Sequence, residues 1–196
     1  MAPFHFHPLW TQIFWLSNAA WATFEMWVWS RDRRAVQGQM RDRGSLISVF
    51  FGIFFAIGTI FTAPWVAPFA RLPLPPAPVF FAGIALVWLG LALRFWAIQT
   101  LGKFFRYTVF VHDEHCLVTS GPYRVLRHPS YTGALTTIIG IALAMHNWVS
   151  LIGGVGFALM AYVWRIEVEE AALRARFGEV FLRQRARTWA IIPLIW

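Results

Sequence analysis

GPYRVLRHPSYTG, residues 121–133, packs arginine, histidine, tyrosine and turn formers into a short stretch beside apolar runs of bilayer length. It is answered about thirty residues later by Arg165 and the Glu169-Glu170 pair. Ionisable side chains next to hydrocarbon are expensive, and they persist where they meet a ligand, a partner or water. This edge of the membrane is therefore where chemistry is expected.

The composition around it is that of a bilayer protein. The 196 residues are 58% hydrophobic and 13% charged, with a mean hydropathy of +0.55, whereas soluble domains carry about 25% charge. The single cysteine, Cys116, leaves no internal disulfide framework. With no Lys or Arg ahead of the first apolar run, a cleavable signal peptide is not expected.

Apolar runs cover residues 8–29, 45–70 and 79–101. Each is long enough to cross about 30 Å of hydrocarbon at a rise of about 1.5 Å per residue. Pro64 and Pro68 mark the exit of the second run, and the linker 71–78, RLPLPPAP, is expected to break the helix. Arg94 lies two turns before the end of the third run, close enough to snorkel. Residues 131–164 are apolar apart from His146-Asn147 in the middle. They read either as two helices of about sixteen residues joined by a tight bend or as one long tilted helix. The fold expected is all-α and integral to the membrane, with about five transmembrane helices, the last two a hairpin. It forms one domain over 1–196, with two N-terminal spans in 1–78 and a core carrying the motifs in 79–196.

In that layout, with the N-terminus outside, fifteen of the seventeen basic residues share one side. The exceptions are Arg71 in the opposite loop and Arg94 within a span. The positive-inside rule makes the basic side, and the C-terminus, cytoplasmic. The net charge of +8 is thus mostly topology, with attraction to anionic lipid headgroups added, and nucleic acid is not an expected partner.

Pro129 suits the first position of a helix, and His128 before it is expected to be extended. The N–H groups of Ser130, Tyr131 and Thr132 are then expected to face the loop and to receive an anionic group. Residues 165–187 read as an amphipathic helix with Arg165 and Glu169 on one face, interrupted or capped at Gly178. Residues 188–196 read as an interfacial anchor between Trp189 and Trp196. The polar candidates converge on the cytoplasmic side, against hydrocarbon. The site expected there joins a polar cytosolic ligand to a lipophilic one.

The ordered pieces resemble membrane methyltransferases related to isoprenylcysteine carboxyl methyltransferase and the phospholipid N-methyltransferases. They are HCLV at 115–118, TSGPY at 119–123, RHPSY at 127–131, Arg165, Glu169-Glu170, Leu173, Phe177-Gly178 and Ile192-Pro193. The similarity runs from Leu93 onward; the two N-terminal spans match only in kind. The resemblance implies S-adenosyl-L-methionine as methyl donor, in a cytoplasmic cofactor site built by the loop before span four and the C-terminal helix. Its contacts would come from His115, Cys116, Leu117, Val118, Tyr123, His128, Pro129, Ser130, Tyr131 and Glu169. The catalytic Arg165 would face a lipophilic or membrane-embedded acceptor, the carboxylate of an isoprenylcysteine-like molecule being favoured.

Plainer readings stand beside these. Arg124 and Arg127 can bind lipid phosphates, Tyr123 and Tyr131 can be interfacial anchors, and Arg165 and Glu169 can be a surface ion pair. His112 and His115, an i, i+3 pair in a loop, do not make a metal site on their own. Glu25 and Arg94 read as interfacial or as satisfying one another, and Glu25 can line the acceptor cavity. Two other function classes remain: a nicotinamide-dependent sterol-type reductase and a non-catalytic lipid-binding protein. Such reductases usually read RHPNY followed closely by Gly-Glu, where this chain has Ser130 and Ala134.

Overall fold

The computed structural model describes residues 7–32, 39–40, 44–102, 105, 110–111 and 117–193. Among the described residues, the elements are helices and helical turns, apart from one two-residue ladder. Helices α1 (Pro8–Asp32), α2 (Ser45–Val66) and α3 (Pro76–Leu101) are followed by a 3₁₀ turn (Gly121–Arg124) and α4 (Pro129–Ala144). A π turn (Ser150–Gly154) runs into α5 (Val155–Phe177), and α6 (Glu179–Arg185) comes last. Strands β1 (Gln39–Met40) and β2 (Phe110–Val111) pair antiparallel, with Gln39 opposite Val111, and tie the loop after α1 to the loop after α3.

Among the described residues, three helices are long and apolar enough to cross a membrane: α2, α3 and the continuous Ser150–Phe177 helix. The shorter α4, with 16 residues, reaches only about 24 Å at about 1.5 Å per residue. Large apolar side chains face outward from these helices, among them Phe55, Leu89, Ile152 and Met160. Patches of that size suit lipid, and in water they would drive association. The protein is an integral membrane protein.

Two packing rules set the bundle. Helix α4 lies along α3 and α5 lies along α2. The α3–α4 approach rests on glycines seven residues apart in each helix: a Cβ on Gly133 would sit 2.6 Å from the Gly90 carbonyl, and one on Gly83 would sit 2.7 Å from that of Gly140. Backbones that close leave no room for any side chain. The core between the layers holds Phe14, Ile60, Phe80, Ile138, Ile141 and Ile166.

The break at His146-Asn147 is a real turn rather than a point on one long helix. His146 takes a positive φ of 55°, which His and Asn tolerate better than most residues. Asn147 then caps the π turn, its Oδ1 accepting from the N–H groups of Val149 (2.9 Å) and Ser150 (3.2 Å). Its amide donates to the Ala67 carbonyl at 2.8 Å, fastening the turn to the exit of α2. The linker 71–78 differs from its reading in one respect. Pro76 opens α3, where the first turn has no intrahelical partner for its N–H groups and proline is tolerated.

Candidate active site

At the opposite end of the bundle, Gly121 (φ 55°) admits the chain into the 3₁₀ turn that carries Tyr123 inward; Tyr123 is buried. Burial, and next the Glu169 carboxylate, push its phenol well above the ordinary range, so it stays neutral. His128, at φ −125° and ψ 55°, precedes Pro129 at the first position of α4; it avoids the helical region but falls short of the extended ψ expected before proline. The expected anion-receiving helix terminus is not present in that form. The N–H groups of Tyr131 and Thr132 both donate to the His128 carbonyl, at 3.0 and 3.1 Å. A non-helical His128 folds its own carbonyl back over the first turn.

Tyr131 is the hub of the groups beneath. Its hydroxyl donates to Glu169 Oε2 at 2.9 Å and accepts from Arg165 Nε at 3.3 Å. The i, i+4 pair of the amphipathic reading is therefore bridged by a phenol from another helix. The Tyr131 ring stacks on Tyr162 (5.4 Å) and on His128 (5.7 Å). Arg165 is only 2% exposed and donates from its NH1 nitrogen to Ser45 Oγ at 2.5 Å. Ser45 opens α2 just after Gly44 (φ 76°). A guanidinium held that deep requires such partners, because an unpaired buried cation is prohibitively costly.

Arg127 finds its partners within the protein. Its Nε pairs with Glu170 at 2.7 Å, and NH1 donates to the carbonyls of Arg185 (3.3 Å) and Thr188. His128 Nε2 shares the same Glu170 oxygen at 3.1 Å. The chain beyond α6 lies against this loop as a strap. The N–H of Trp189 donates to Val125 O, those of Arg127 and His128 donate to Trp189 O and Ala190 O, and Thr132 Oγ1 donates to Ile191 O. Trp189 stays partly exposed, but Ala190 and Ile191 are fully buried. The middle of the expected interfacial anchor thus also serves as a structural clasp, and Trp196 lies outside the described residues. Gly178 (φ 50°) separates α5 from α6 as expected.

One cavity of about 1000 Å³ gathers these groups. Its polar end is lined by Leu117, Val118, Tyr123, His128, Ser130, Tyr131, Arg165 and Glu169, with Gln184 of α6 donating to the Val118 carbonyl at 3.4 Å. Its apolar end runs between α1 and α2, past Trp21, Met26, Phe50, Phe54 and Ile57. Eight of the residues singled out in the sequence thus meet in one space. Pro129 is buried at the start of α4. His115 and Cys116, and the HDEH run at 112–115, lie outside the described residues.

Arg94 corrects another expectation. Rather than snorkelling, it points inward, with its Nε and NH2 each 2.9 Å from a Glu25 oxygen and its NH1 donating to Ser130 O (3.1 Å) and Oγ (3.2 Å). The Nε contact is ionic rather than a directed hydrogen bond. The alternative reading of Glu25 and Arg94 as mutually satisfied holds, and both line the cavity. Sequence reasoning missed Ser45 and the clasping role of Glu170. The Glu-Glu doublet was the available signal for Glu170, and nothing local marks Ser45.

With the geometry in place, the comparisons are specific. The sequence model for phospholipid methyltransferases matches residues 78–180. A probable protein-S-isoprenylcysteine O-methyltransferase of Oryza sativa subsp. indica is 32% identical over 60% of this chain and 62% of its own. The protein-S-isoprenylcysteine O-methyltransferase of Homo sapiens is 38% identical over 58% of this chain and 40% of its own. The chain thus spans about 40 to 62% of the length of these relatives. The solved structure of a eukaryotic intramembrane Ras methyltransferase, isoprenylcysteine carboxyl methyltransferase, superposes with a TM-score of 0.57 at 25% identity, covering 74% of this chain and 52% of that one. A charged cradle opening into an apolar cleft, together with a family match over more than half the chain, places this protein in the phospholipid methyltransferase family.

Proposed function

We propose that this protein transfers a methyl group from S-adenosyl-L-methionine to a lipophilic acceptor carried in the membrane, most favourably the carboxylate of an isoprenylcysteine-like molecule. The observation that carries the reading is one cavity with a charged, hydrogen-bonding end and an aliphatic and aromatic end between α1 and α2. A site divided in that way suits a polar donor at one end and a greasy acceptor at the other. The names of the relatives support the same chemistry.

The residues present fit the donor. Glu169, held by Tyr131, offers a carboxylate to its ammonium group, and Tyr123, His128 and Ser130, with the backbone of Leu117 and Val118, form the cradle. His115, Cys116 and Pro129 join the same contact set by their place in the sequence motif. When bound, the donor supplies a sulfonium methyl already activated for displacement. The chain then has three tasks: align the acceptor oxygen, keep water out and hold the charges apart. Arg165, fixed from two sides by Tyr131 and Ser45, orients the acceptor carboxylate by a charge-assisted contact. Because a carboxylate is already a nucleophile, no general base is required.

The remaining architecture belongs to the same proposal. One methyltransferase unit spans 1–196, with five helices α1–α5 crossing the bilayer and the last two forming a hairpin. The cofactor end and C-terminus are cytoplasmic, where most of the basic residues lie, and membrane lipids surround the bundle. The test is calorimetric titration of the detergent-solubilised protein with S-adenosylhomocysteine and, separately, NADPH. The homocysteine compound binds wild type and Arg165→Ala but not Glu169→Ala, and Arg165→Ala gives no turnover. Binding of NADPH instead, or unchanged affinity in Glu169→Ala, would overturn the assignment.

A further inference from the structure

We propose that Glu25 of α1 is the specificity-determining residue through which the site reads the charge of its acceptor: a built-in carboxylate that occupies Arg94 until an acceptor carboxylate replaces it. The inference rests on the methyltransferase reading above and deepens it.

The geometry is that of an exchangeable ligand. Arg94 is anchored on α4 by one nitrogen, NH1, which donates to both the carbonyl and the hydroxyl of Ser130. The opposite edge of the guanidinium, Nε and NH2, is met side-on by the two oxygens of Glu25, each at 2.9 Å. A planar carboxylate matches that edge, and a second planar carboxylate can match it equally well. The two partners differ in how they are held. The Arg94 side chain is 7% exposed, whereas that of Glu25 is 27% exposed, and both face the cavity. Glu25 therefore has somewhere to go, and Arg94 does not.

The placement of the pair is equally telling. Ser130 holds Arg94 and the next residue, Tyr131, holds Arg165, so the first turn of α4 brings both guanidinium groups to one wall of the cavity. Glu25 reaches that wall from α1, which packs against α3. An isolated buried guanidinium is costly, and Glu25 removes that cost while the acceptor is absent. The same charge repels an incoming acid until it moves aside, and it leaves a neutral molecule of the same shape untouched. Exchange of one carboxylate for another keeps Arg94 paired, so the acid gains Arg94 as Glu25 moves aside into the cavity.

The experiment uses the full chain in bilayer nanodiscs. The probes are N-acetyl-S-farnesylcysteine as the acid and its primary carboxamide as the neutral isostere. In Glu25→Gln, affinity for the acid rises by about tenfold relative to wild type while affinity for the carboxamide is unchanged, because only the competing charge has gone. Glu25→Asp, whose shorter arm cannot span both nitrogens from α1, shifts the acid-to-carboxamide ratio the same way by a smaller factor and serves if the glutamine variant does not fold. A merely structural Glu25 lowers both affinities together, and that result, or an unchanged ratio, overturns the proposal. S-adenosylhomocysteine is titrated in parallel. If wild type binds neither it nor the acid, the methyltransferase reading falls and takes this inference with it. If wild type binds both and the ratio does not move, the role of Glu25 alone is refuted.

Discussion

Removing one oxygen atom tests the centre of the site. Tyr131→Phe keeps the ring between Tyr162 and His128, whose centroids lie 5.4 and 5.7 Å away, and so keeps the packing. It deletes the hydroxyl that joins Arg165 Nε to Glu169 Oε2. Each of those contacts involves a charged group, and such bonds contribute about 1.5–3 kcal/mol. They share one oxygen and do not add, so the loss is that of a single strong interaction. At about 1.4 kcal/mol per decade, kcat/KM for methyl transfer falls by about 10- to 150-fold. Because the hydroxyl links the proposed acceptor arginine to the proposed donor glutamate, the loss falls mainly on kcat. Transfer of tritiated methyl groups to N-acetyl-S-farnesylcysteine in nanodiscs measures it, with gel filtration of the variant as the folding control. A folded variant that keeps kcat within a factor of about two of wild type, far less than one charge-assisted bond contributes, refutes the claim that this phenol organises the site.

Two further substitutions probe the frame around it. Glu170→Gln removes the carboxylate shared by Arg127 and His128, and loss of one partner from a buried ion pair costs about 3–5 kcal/mol. The melting temperature therefore drops, and limited proteolysis cuts the strap around 186–191 faster than in wild type; equal cleavage rates count against the clasp. Gly133→Ala would place a Cβ 2.6 Å from Gly90 O and 2.7 Å from Arg94 N, backbone atoms that cannot yield without shifting a helix. Its expected cost is about 1–3 kcal/mol. Gly156→Ala, with nothing within 4 Å of the new atom, is neutral or stabilising by up to about 1 kcal/mol. Thermal unfolding of the two in the same detergent compares them.

How much of this was legible in the chain depends on the range of each physical signal. Pro129 acts on its own turn, His146-Asn147 on the next few residues and Gly178 on one helix end, and each structural break falls where its residue announces it. The same short reach explains the failures. The free N–H groups expected at 130–132 required His128 to be fully extended; its ψ of 55° instead turns the carbonyl inward. Trp189 and Trp196 favoured an interfacial anchor over 188–196, and what went unread is that the pairing of Leu126 with Trp189 also docks its Ala190-Ile191 middle from 63 residues away. Arg94 in an apolar run permits either snorkelling or an inward partner, and only the packing of α1 on α3 brings Glu25 close enough to decide. Ser45 meets Arg165 across 120 residues because α2 lies along α5, which no local pattern encodes.

These long-range contacts share a physical logic. Arg94 and Arg165 are both buried, and Arg127 is closed in by Glu170 and two tail carbonyls. A fold seeking only stability in lipid would replace such groups with aliphatic side chains, since buried ion pairs seldom improve on well-packed hydrocarbon. Here the three arginines lie at one end of the bundle, all on the wall of one cavity, while the far end is closed by neutral caps from Asn147. That asymmetry separates a working site from structural ballast. On the proposed function, the cost of burying charge falls, among the described residues, at the end of the bundle where a charged donor and a charged acceptor group would meet.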